Sequence, residues 1–421
     1  MIAFEKFTLE NGLKVLVHKD ESTPITAVNI LYNVGARDEH PDKTGFAHLF
    51  EHLMFGGSKN IPVFDEPLER VGGENNAFTN NDITNYYLTI PQQNLETAFW
   101  LESDRMNELA FSEKSLEVQR NVVVEEFKQR YLNQPYGDVW LLLRPLAYKK
   151  HPYQWSTIGK EISHIENAVM EDVKSFFYRF YRPNNAILAV AGNVEVEQIK
   201  ELSKKWFGTI PAGEQLQRNI PAEPLQTEER MLTVERNVPY DAIYKTYHIC
   251  KRTEKDYYTF DLISDILSNG KSSRFNNELV KKQKLFSEVN AYLSGDIDNG
   301  LFIISGKLNN GITMELAEQA IDNEIDKLKN NFVEVDELQK VKNKAESLMI
   351  FSQMKTNDKA MNLAYFELLG DANMINTEIE NYRNVTQENV KALAIKTFIK
   401  SNCSKLYYLK KNKSIRHQNE V

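Results

Sequence analysis

The sequence lacks three features that would each point to a different class of protein. Its 421 residues include only two cysteines, Cys250 and Cys403, which lie far apart and indicate buried thiols instead of a disulfide framework. No segment approaches the roughly 20 consecutive apolar residues of a membrane-spanning helix. The formal net charge of -8 argues against a nucleic acid as the main partner, because phosphate binding requires basic surface.

The N-terminal segment also lacks the apolar core of a signal peptide. The stretch MIAFEKFTLENGLKVLVHKD mixes acidic, basic and apolar side chains. We therefore expect a cytoplasmic protein, or a periplasmic one if a leader has been removed.

What the sequence does contain is an alternation of strand and helix patterns. Runs such as ITAVNILYNVG and NAILAVAGNV predict strands, whereas LETAFWLESDRMNEL and SLEVQRNVVVEEFKQRYL predict helices. A helix-turn-strand pattern from Met170 is similar to one from Thr386, about half the chain later. This weak repeat indicates two similar halves. The proline-containing stretch from Pro211 to Glu229 is the natural linker between them.

The stretch HLFEHLMFGG places three ionisable groups in an apolar helical pattern. If residues 44–55 are helical, His48 and His52 project from one face on successive turns, where two imidazoles can bind one zinc ion. Glu51 lies beside them and is placed to accept a proton from a water on the metal. The spacing therefore predicts a zinc site with its own general base.

The ends of this helix are also marked in the sequence. Asp42 or Thr44 can cap its start with a side-chain oxygen. Gly56 and Gly57 can end it, because glycine readily adopts the left-handed conformation found after a helix.

A catalytic zinc needs a third protein ligand, and helical phase selects Glu126. On a helix, Gln119, Val122, Val123 and Glu126 form one stripe, which we expect to face inward. A carboxylate on an inward stripe needs a partner, and a zinc ion would be one. Glu125 points about 100° away and is expected to be a solvated surface charge.

These residues resemble the motifs of the pitrilysin family of zinc peptidases, which includes insulysin and the processing peptidases. That family carries His-x-x-Glu-His and, farther along, a glutamate that closes a Glu-Arg-x-Val-Val-x-x-Glu-like segment. Here the segment is QRNVVVEE, and its register also selects Glu126. Gln119 departs from the family pattern, which usually has a supporting glutamate at that position.

The resemblance covers almost the whole chain and implies its fold. The expected fold is α+β, with two homologous domains that enclose a cavity. Each domain has a mostly antiparallel sheet with helices packed on one face. Residues 1–215 would form the N-terminal zinc-binding catalytic domain, and residues 225–421 a homologous C-terminal domain that lacks the metal motif.

The resemblance also implies the roles of individual residues. His48, His52 and Glu126 would hold one Zn²⁺ per chain, and Glu51 would be the catalytic base. Asn76 and Ala77 match the family's Asn-Ala pair near the scissile bond, beside a strand edge that pairs with the peptide substrate. Asn76 is alternatively an ordinary turn residue.

One departure from the family concerns the second half of the chain. The family holds the substrate carbonyl with an arginine and a tyrosine, whose positions are Val280 and Ser287 here. Arg274 and Tyr292 lie nearby but out of register, and we expect both to be structural. We therefore expect a heterodimer in which a homologous subunit carries the Arg/Tyr pair, with a homodimer as the alternative.

Together these features predict a zinc-dependent endopeptidase that hydrolyses peptides or unfolded segments inside an enclosed chamber. One alternative is a non-catalytic structural or assembly subunit of the same fold. Such subunits typically lose their zinc residues, whereas all four are present here. Another alternative is a zinc-binding scaffold without turnover.

Overall fold

The structure is a computed structural model that describes residues 1–411. It contains two compact units, and each takes segments from both halves of the chain. Unit 1 comprises Met1–Lys128, Lys150–Ala222 and Asn343–Arg383. Unit 2 comprises Gln129–Lys149, Glu223–Lys342 and the described residues from 384 onward.

The β-strands of the described residues form two sheets, one in each unit. The strands are β1 (Glu5–Thr8), β2 (Lys14–Lys19), β3 (Ile25–Tyr32), β4 (Glu74–Thr79), β5 (Thr84–Pro91), β6 (Ala186–Gly192), β7 (Arg230–Arg236), β8 (Ala242–His248), β9 (Phe286–Leu293), β10 (Leu301–Leu308) and β11 (Cys403–Lys410).

Residues 1–411 also form a series of α-helices. They are α1 (Phe46–Leu53), α2 (Asp65–Arg70), α3 (Leu95–Asn107), α4 (Glu113–Phe127), α5 (Val139–Ala147), α6 (Ile162–Glu166), α7 (Met170–Phe180), α8 (Val196–Phe207), α9 (Asp256–Ser268), α10 (Met314–Asn330), α11 (Val335–Ser352), α12 (Thr356–Leu369), α13 (Met374–Arg383) and α14 (Gln387–Thr397). In this part of the chain, no helix combines the length and the apolar character needed to cross a membrane.

The sheet of unit 1 has the strand order β1-β2-β6-β3-β5-β4. Neighbouring strands are antiparallel except β2 and β6, which run parallel. β3 and β6 lie at the centre and are buried along almost their whole length, as their apolar composition requires. β4 is an edge strand, so one side of its backbone has no strand partner among the described residues.

The sheet of unit 2 has the strand order β7-β11-β8-β10-β9. Here β7 and β11 run parallel, and the other neighbouring pairs are antiparallel. The edge opposite β7 is β9, which carries Tyr292 and Ser287.

In each unit, a helix from the opposite half of the chain packs on the sheet. In unit 2, α5 packs on β7, β8 and β11 through Val139 and Leu143. In unit 1, α12 packs on β2, β3, β5 and β6, and its buried Glu367 binds the ammonium groups of Lys6 and Lys14. By the alternation of strand side chains, α12 covers the face of the sheet opposite to α1.

The structure agrees with the fold predicted from the sequence. It is α+β, and both sheets are mostly antiparallel. The predicted linker between Pro211 and Glu229 contains no helix or strand. The two repeat segments follow one order, since α7 and α14 each lead through a 3₁₀ turn into a strand, β6 and β11. The exchanged helices α5 and α12 were not anticipated.

The homologous domains at residues 1–215 and 225–421 stay a prediction. That division concerns the similarity of the two halves in sequence and fold. The compact units are defined by packing contacts instead. Residues 129–149 therefore belong to the unit of the second half, and residues 343–383 belong to the unit of the first half.

Candidate metal centre

Helix α1 carries the two histidines and the glutamate of the predicted zinc motif. Its buried residues form the apolar face that the sequence pattern predicts: Phe46, Ala47, Leu49, Phe50 and Leu53. The ring of Phe50 stacks on Phe176 of α7 with 5.1 Å between the ring centroids. The backbone carbonyl of Phe50 accepts a 3.2 Å hydrogen bond from the hydroxyl of Tyr86 on β5. These contacts fix the rotation of the short helix.

The start of α1 differs from the prediction. The helix spans Phe46–Leu53, and its N-cap is Gly45, which has a φ of 88° and no side chain to donate or accept. The predicted capping by Asp42 or Thr44 is therefore wrong. The physical reason is that the carboxyl group of Glu39, outside the helix, already binds the first N–H groups.

Helix α4 carries Glu126 near its C-terminal end. The N-cap of this helix is Ser112, whose hydroxyl accepts the N–H of Ser115. Its buried residues are Leu116, Val123, Val124 and Phe127. The predicted inward stripe is wrong at Val122, which is 43% exposed, because the buried face is centred on Val123 and Val124.

Glu126 lies at the margin of this buried face, with its side chain 17% exposed. Glu125 instead points to solvent and forms an ion pair with Lys128 one turn later. The expectation that Glu125 is a surface charge is therefore confirmed.

His48, His52 and Glu126 come together in the structure. The Oε2 atom of Glu126 lies 3.6 Å from Nε2 of His48 and 3.5 Å from Nε2 of His52. One ligand atom from each residue lies within 4.8 Å of the other two. Within residues 1–411, no other group of three histidine, cysteine, aspartate or glutamate side chains comes this close.

These separations fit a tetrahedral zinc ion. Ligand atoms about 2.1 Å from such an ion lie about 3.4 Å from one another. The measured 3.5 and 3.6 Å between Glu126 and the two imidazoles are close to that value. Two neutral imidazoles and one carboxylate are also the ligand set of catalytic zinc sites that keep a fourth position open. The donor set and its geometry are therefore compatible with zinc.

Glu51 lies beside this cluster on α1. Burial raises the pKa of its carboxyl group, whereas hydrogen bonds from the hydroxyl and the backbone N–H of Thr79 lower it. The nearby imidazole of His52 also favours the ionised form, and the carboxylate of Glu126 opposes it. The result is a partly buried carboxyl group with a raised pKa, which is the usual setting of a general base or acid.

Asn76 and Ala77 both lie on β4, the edge strand of the first sheet. Asn76 is therefore a strand residue and not part of a turn. It is exposed, and its side-chain oxygen accepts the N–H of Ala77. Alternation along the strand directs Ala77 and Thr79 to the same face, which is the face of the metal cluster. The structure thus brings this strand next to α1.

In unit 2, Val280 lies in the π-helix Asn276–Lys282 and Ser287 lies on β9. The hydroxyl of Ser287 donates to the carbonyl of Lys307 on the neighbouring strand. Arg274 forms an ion pair with Glu337, which agrees with the expectation of a structural role. Tyr292 is 38% exposed on the edge strand.

The sequence reasoning missed two residues of this centre, Glu39 and Thr79. Thr79 could have been found, because the period of two residues along a strand places it on the face of Ala77. Glu39 gives no local signal. It precedes the helix by several residues in an irregular segment, and only the folded chain brings it to Gly45 and Ala47.

Comparison with known proteins identifies the family. Residues 14–160 match the family model described as Insulinase (Peptidase family M16), and residues 167–345 match the model described as Peptidase M16 inactive domain. The chain is 33% identical over 364 residues to the "Zinc protease PqqE" of Helicobacter pylori, a match that covers 85% of this chain and 81% of that protein. It is 25% identical over 397 residues to the "Uncharacterized zinc protease YmxG" of Bacillus subtilis, covering 94% and 95% of the two chains.

The solved structures agree with this result. The crystal structure of a protease from Helicobacter pylori matches with a TM-score of 0.91 at 29% identity, covering 97% of this chain and 100% of that one. The resemblance noted from the HLFEHLMFGG and QRNVVVEE segments is thus confirmed at the level of the family. The chain belongs to peptidase family M16, the family of insulinase and pitrilysin.

Proposed function

We propose that this chain is a zinc-dependent endopeptidase subunit that hydrolyses peptides or unfolded segments. The observation that carries the proposal is the meeting of His48 and His52 from α1 with Glu126 from α4, at separations that suit one zinc ion. The zinc protease names of the relatives support the same metal and the same class of reaction.

In this proposal His48, His52 and Glu126 hold one Zn²⁺ per chain. When bound, zinc acts as a Lewis acid that polarises the scissile carbonyl and makes a water molecule more acidic. Glu51 takes the proton of the attacking water and then delivers it to the leaving amine. Its raised pKa suits both steps, because a general base must also be able to act as an acid. The hydroxyl and the backbone N–H of Thr79 lower the pKa of Glu51 and so favour the ionised form that acts as the base.

The substrate is proposed to bind along β4. One edge of this strand has no strand partner within residues 1–411 and offers main-chain N–H and C=O groups to an extended peptide, and such pairing selects little for side chains. Asn76 and Ala77 are the proposed substrate-contact residues on this strand. An enclosed chamber formed with the homologous C-terminal domain, residues 225–421, would restrict substrates to peptides and unfolded segments.

The proposed active form is a heterodimer with a homologous subunit that supplies the Arg/Tyr pair. Val280 is apolar and Ser287 is too short, and the hydroxyl of Ser287 is already bonded to Lys307. Neither side chain can hold a substrate carbonyl as an arginine and a tyrosine do. A homodimer that works without the pair is the alternative.

A non-catalytic structural or assembly subunit is the second candidate function. The match of residues 167–345 to the Peptidase M16 inactive domain favours it, but that match excludes the segment that carries the metal cluster. The complete set of His48, Glu51, His52 and Glu126 favours the peptidase. A third possibility is a zinc-binding scaffold, which would bind zinc as the proposed peptidase does but would not cleave peptides.

The test measures turnover of an unfolded fluorogenic peptide by the purified, zinc-loaded chain. The assay is repeated after addition of a homologous subunit that carries the Arg/Tyr pair and lacks His-x-x-Glu-His. Cleavage that needs both chains is expected. High activity of the lone chain contradicts the partner requirement, and absence of cleavage in both assays contradicts the peptidase assignment.

A further inference from the structure

Glu39 precedes helix α1 in the chain, and its side chain binds the backbone at the start of that helix. Its Oε2 atom accepts a 2.9 Å hydrogen bond from the N–H of Gly45, and its Oε1 atom accepts a 2.8 Å hydrogen bond from the N–H of Ala47. Gly45 is the N-cap of α1, and Ala47 directly precedes His48. The side chain of Glu39 thus satisfies two of the four N–H groups that every helix start leaves without an internal partner.

The position of Glu39 is itself fixed by packing. The residue is only 6% exposed, and it follows the 3₁₀ turn Ala36–Asp38. The indole N–H of Trp155 donates to the carbonyl of Ala36 at 2.9 Å, which ties down the 3₁₀ turn directly before Glu39. A carboxyl group held in this way can act as a fixed reference point for the helix that it binds.

The length of α1 makes such a reference point important. The helix Phe46–Leu53 has eight residues, and both of its metal-binding histidines lie within little more than one turn of each other. A small shift of the first turn moves His48 directly and His52 through the rigid helix. Either movement changes the 3.5 and 3.6 Å separations from Glu126, which belongs to a different helix.

We propose that Glu39 is a positioning residue of the metal centre, which fixes the first turn of α1 and thereby holds His48 and His52 at the correct distance from Glu126. The inference rests on the proposed zinc site. Glu39 does not contact the metal ligands through its own side chain. It acts through the backbone N–H groups of Gly45 and Ala47.

This role does not depend on one protonation state of Glu39. Burial raises the pKa of its carboxyl group to about 8, although the N–H groups of Ala47 and Gly45 and the Trp155 side chain oppose the shift. Carboxyl oxygens keep lone pairs for N–H donors in both forms. A glutamine at this position instead turns an amide NH₂ toward one of the two backbone N–H groups, so that one hydrogen bond is lost.

The experiment compares zinc affinities of the full-length chain by competition with a chromogenic chelator. Wild type, E39Q, E39A and E39D are measured, with E367Q as the matched control. Glu367 is also a buried carboxylate of unit 1, but it lies on α12 and binds Lys6 and Lys14 on the opposite face of the sheet. Thermal unfolding of each metal-free variant is recorded in parallel, and binding is measured well below the lowest unfolding temperature.

We expect E39Q and E39A to weaken zinc binding by about 10- to 100-fold, as is typical for residues that support metal ligands. E367Q should lower the unfolding temperature but leave the zinc affinity within about twofold of wild type. E39D, whose shorter carboxylate can bind only one of the two N–H groups, should lie between wild type and E39Q. If E39Q and E39A do not fold, the comparison of E39D with E367Q decides the question.

Equal zinc affinities of E39D or E39Q and wild type overturn the positioning role. An equal weakening in the Glu39 variants and in E367Q does so as well, because the effect is then one of general stability. A failure of the proposed function looks different. In that case wild type itself binds no zinc, or H52A and E126Q leave zinc binding unchanged.

Discussion

Thr79 on β4 lies beside the carboxyl group of Glu51 on α1, and its hydroxyl and backbone N–H lower the pKa of that carboxyl group. The strand that is proposed to bind the substrate is therefore joined directly to the proposed general base. Ala77 lies two residues earlier on the same face of β4. A peptide that pairs with this strand would consequently meet Glu51 in a fixed orientation.

The first prediction concerns the hydroxyl of Thr79. T79V removes the hydroxyl donor but keeps the backbone N–H and nearly the same side-chain volume. We expect kcat to fall by about tenfold, because a hydrogen bond to a charged group contributes about 1.5–3 kcal/mol. Zinc content should stay at one ion per chain. Steady-state kinetics measure kcat, and metal analysis measures the zinc content. T89V on β5 is the control. An unchanged kcat in T79V contradicts the proposed effect of Thr79 on Glu51.

The second prediction distinguishes two adjacent glutamates of α4. E126Q should weaken zinc binding by at least about 100-fold, since it replaces a carboxylate ligand with a weaker neutral one. E125Q should bind zinc like wild type, because the side chain of Glu125 is 59% exposed and forms a surface ion pair with Lys128. Chelator competition measures both affinities. A loss of zinc in E125Q, or none in E126Q, would show that the third ligand has been chosen wrongly.

The third prediction restores the missing pair in the second half of the chain. The double variant V280R/S287Y should raise the kcat/KM of the lone chain by about tenfold or more, because donors to a developing oxyanion contribute that much or more. V280K/S287F, which adds similar bulk without the same hydrogen-bonding groups, is the control. The measurement is turnover of an unfolded peptide without any partner. A folded, zinc-loaded double variant with no gain contradicts the role given to these two positions.

The fourth prediction concerns the acid sensitivity of unit 1. The ammonium group of Lys359 on α12 donates to the carboxylate of Asp20 and holds the pKa of Asp20 well below its usual range. The ionised pair therefore stabilises the folded chain above the ordinary pKa of an aspartate, about 4, and this stabilisation is lost as the pH falls toward the depressed folded-state value.

D20N removes the negative charge of this pair and leaves the ammonium group of Lys359 without its carboxylate partner. Its free energy of unfolding should be about 1–3 kcal/mol lower than that of wild type at pH 7, and the difference should shrink as the pH falls below 4. Denaturant unfolding at a series of pH values measures it. A difference that stays constant from pH 7 to pH 3 would mean that the ion pair contributes nothing to stability.

The cluster of the proposed metal ligands was the most predictable part of the structure, because its sequence signal is local. The spacing of His48, Glu51 and His52 follows from the period of a single helix. Helical phase also selects Glu126, which lies close to His48 and His52 in the structure, although Val122 was placed on the wrong face. Three consecutive valines leave the phase of an apolar stripe ambiguous, and only the packing of α4 decides it.

Other features depend on tertiary structure and had no local signal. An amphipathic helix does not indicate which sheet it covers, so the exchange of α5 and α12 between the halves of the chain could not be read from their sequences. The same reason applies to Glu39, whose hydrogen-bond partners belong to a helix that begins several residues later. Residues of this kind become visible only when the backbone donors around them are accounted for.

The most direct test of the account is a combined measurement on E51Q. The variant is assayed together with its proposed partner, and zinc content and peptide turnover are determined on the same sample. The account predicts one zinc ion per chain, as in wild type, and a loss of turnover of at least about 100-fold, because the ligands remain but the proton acceptor is gone. Cleavage by E51Q at the wild-type rate would contradict the central claim that Glu51 is the general base of a zinc peptidase.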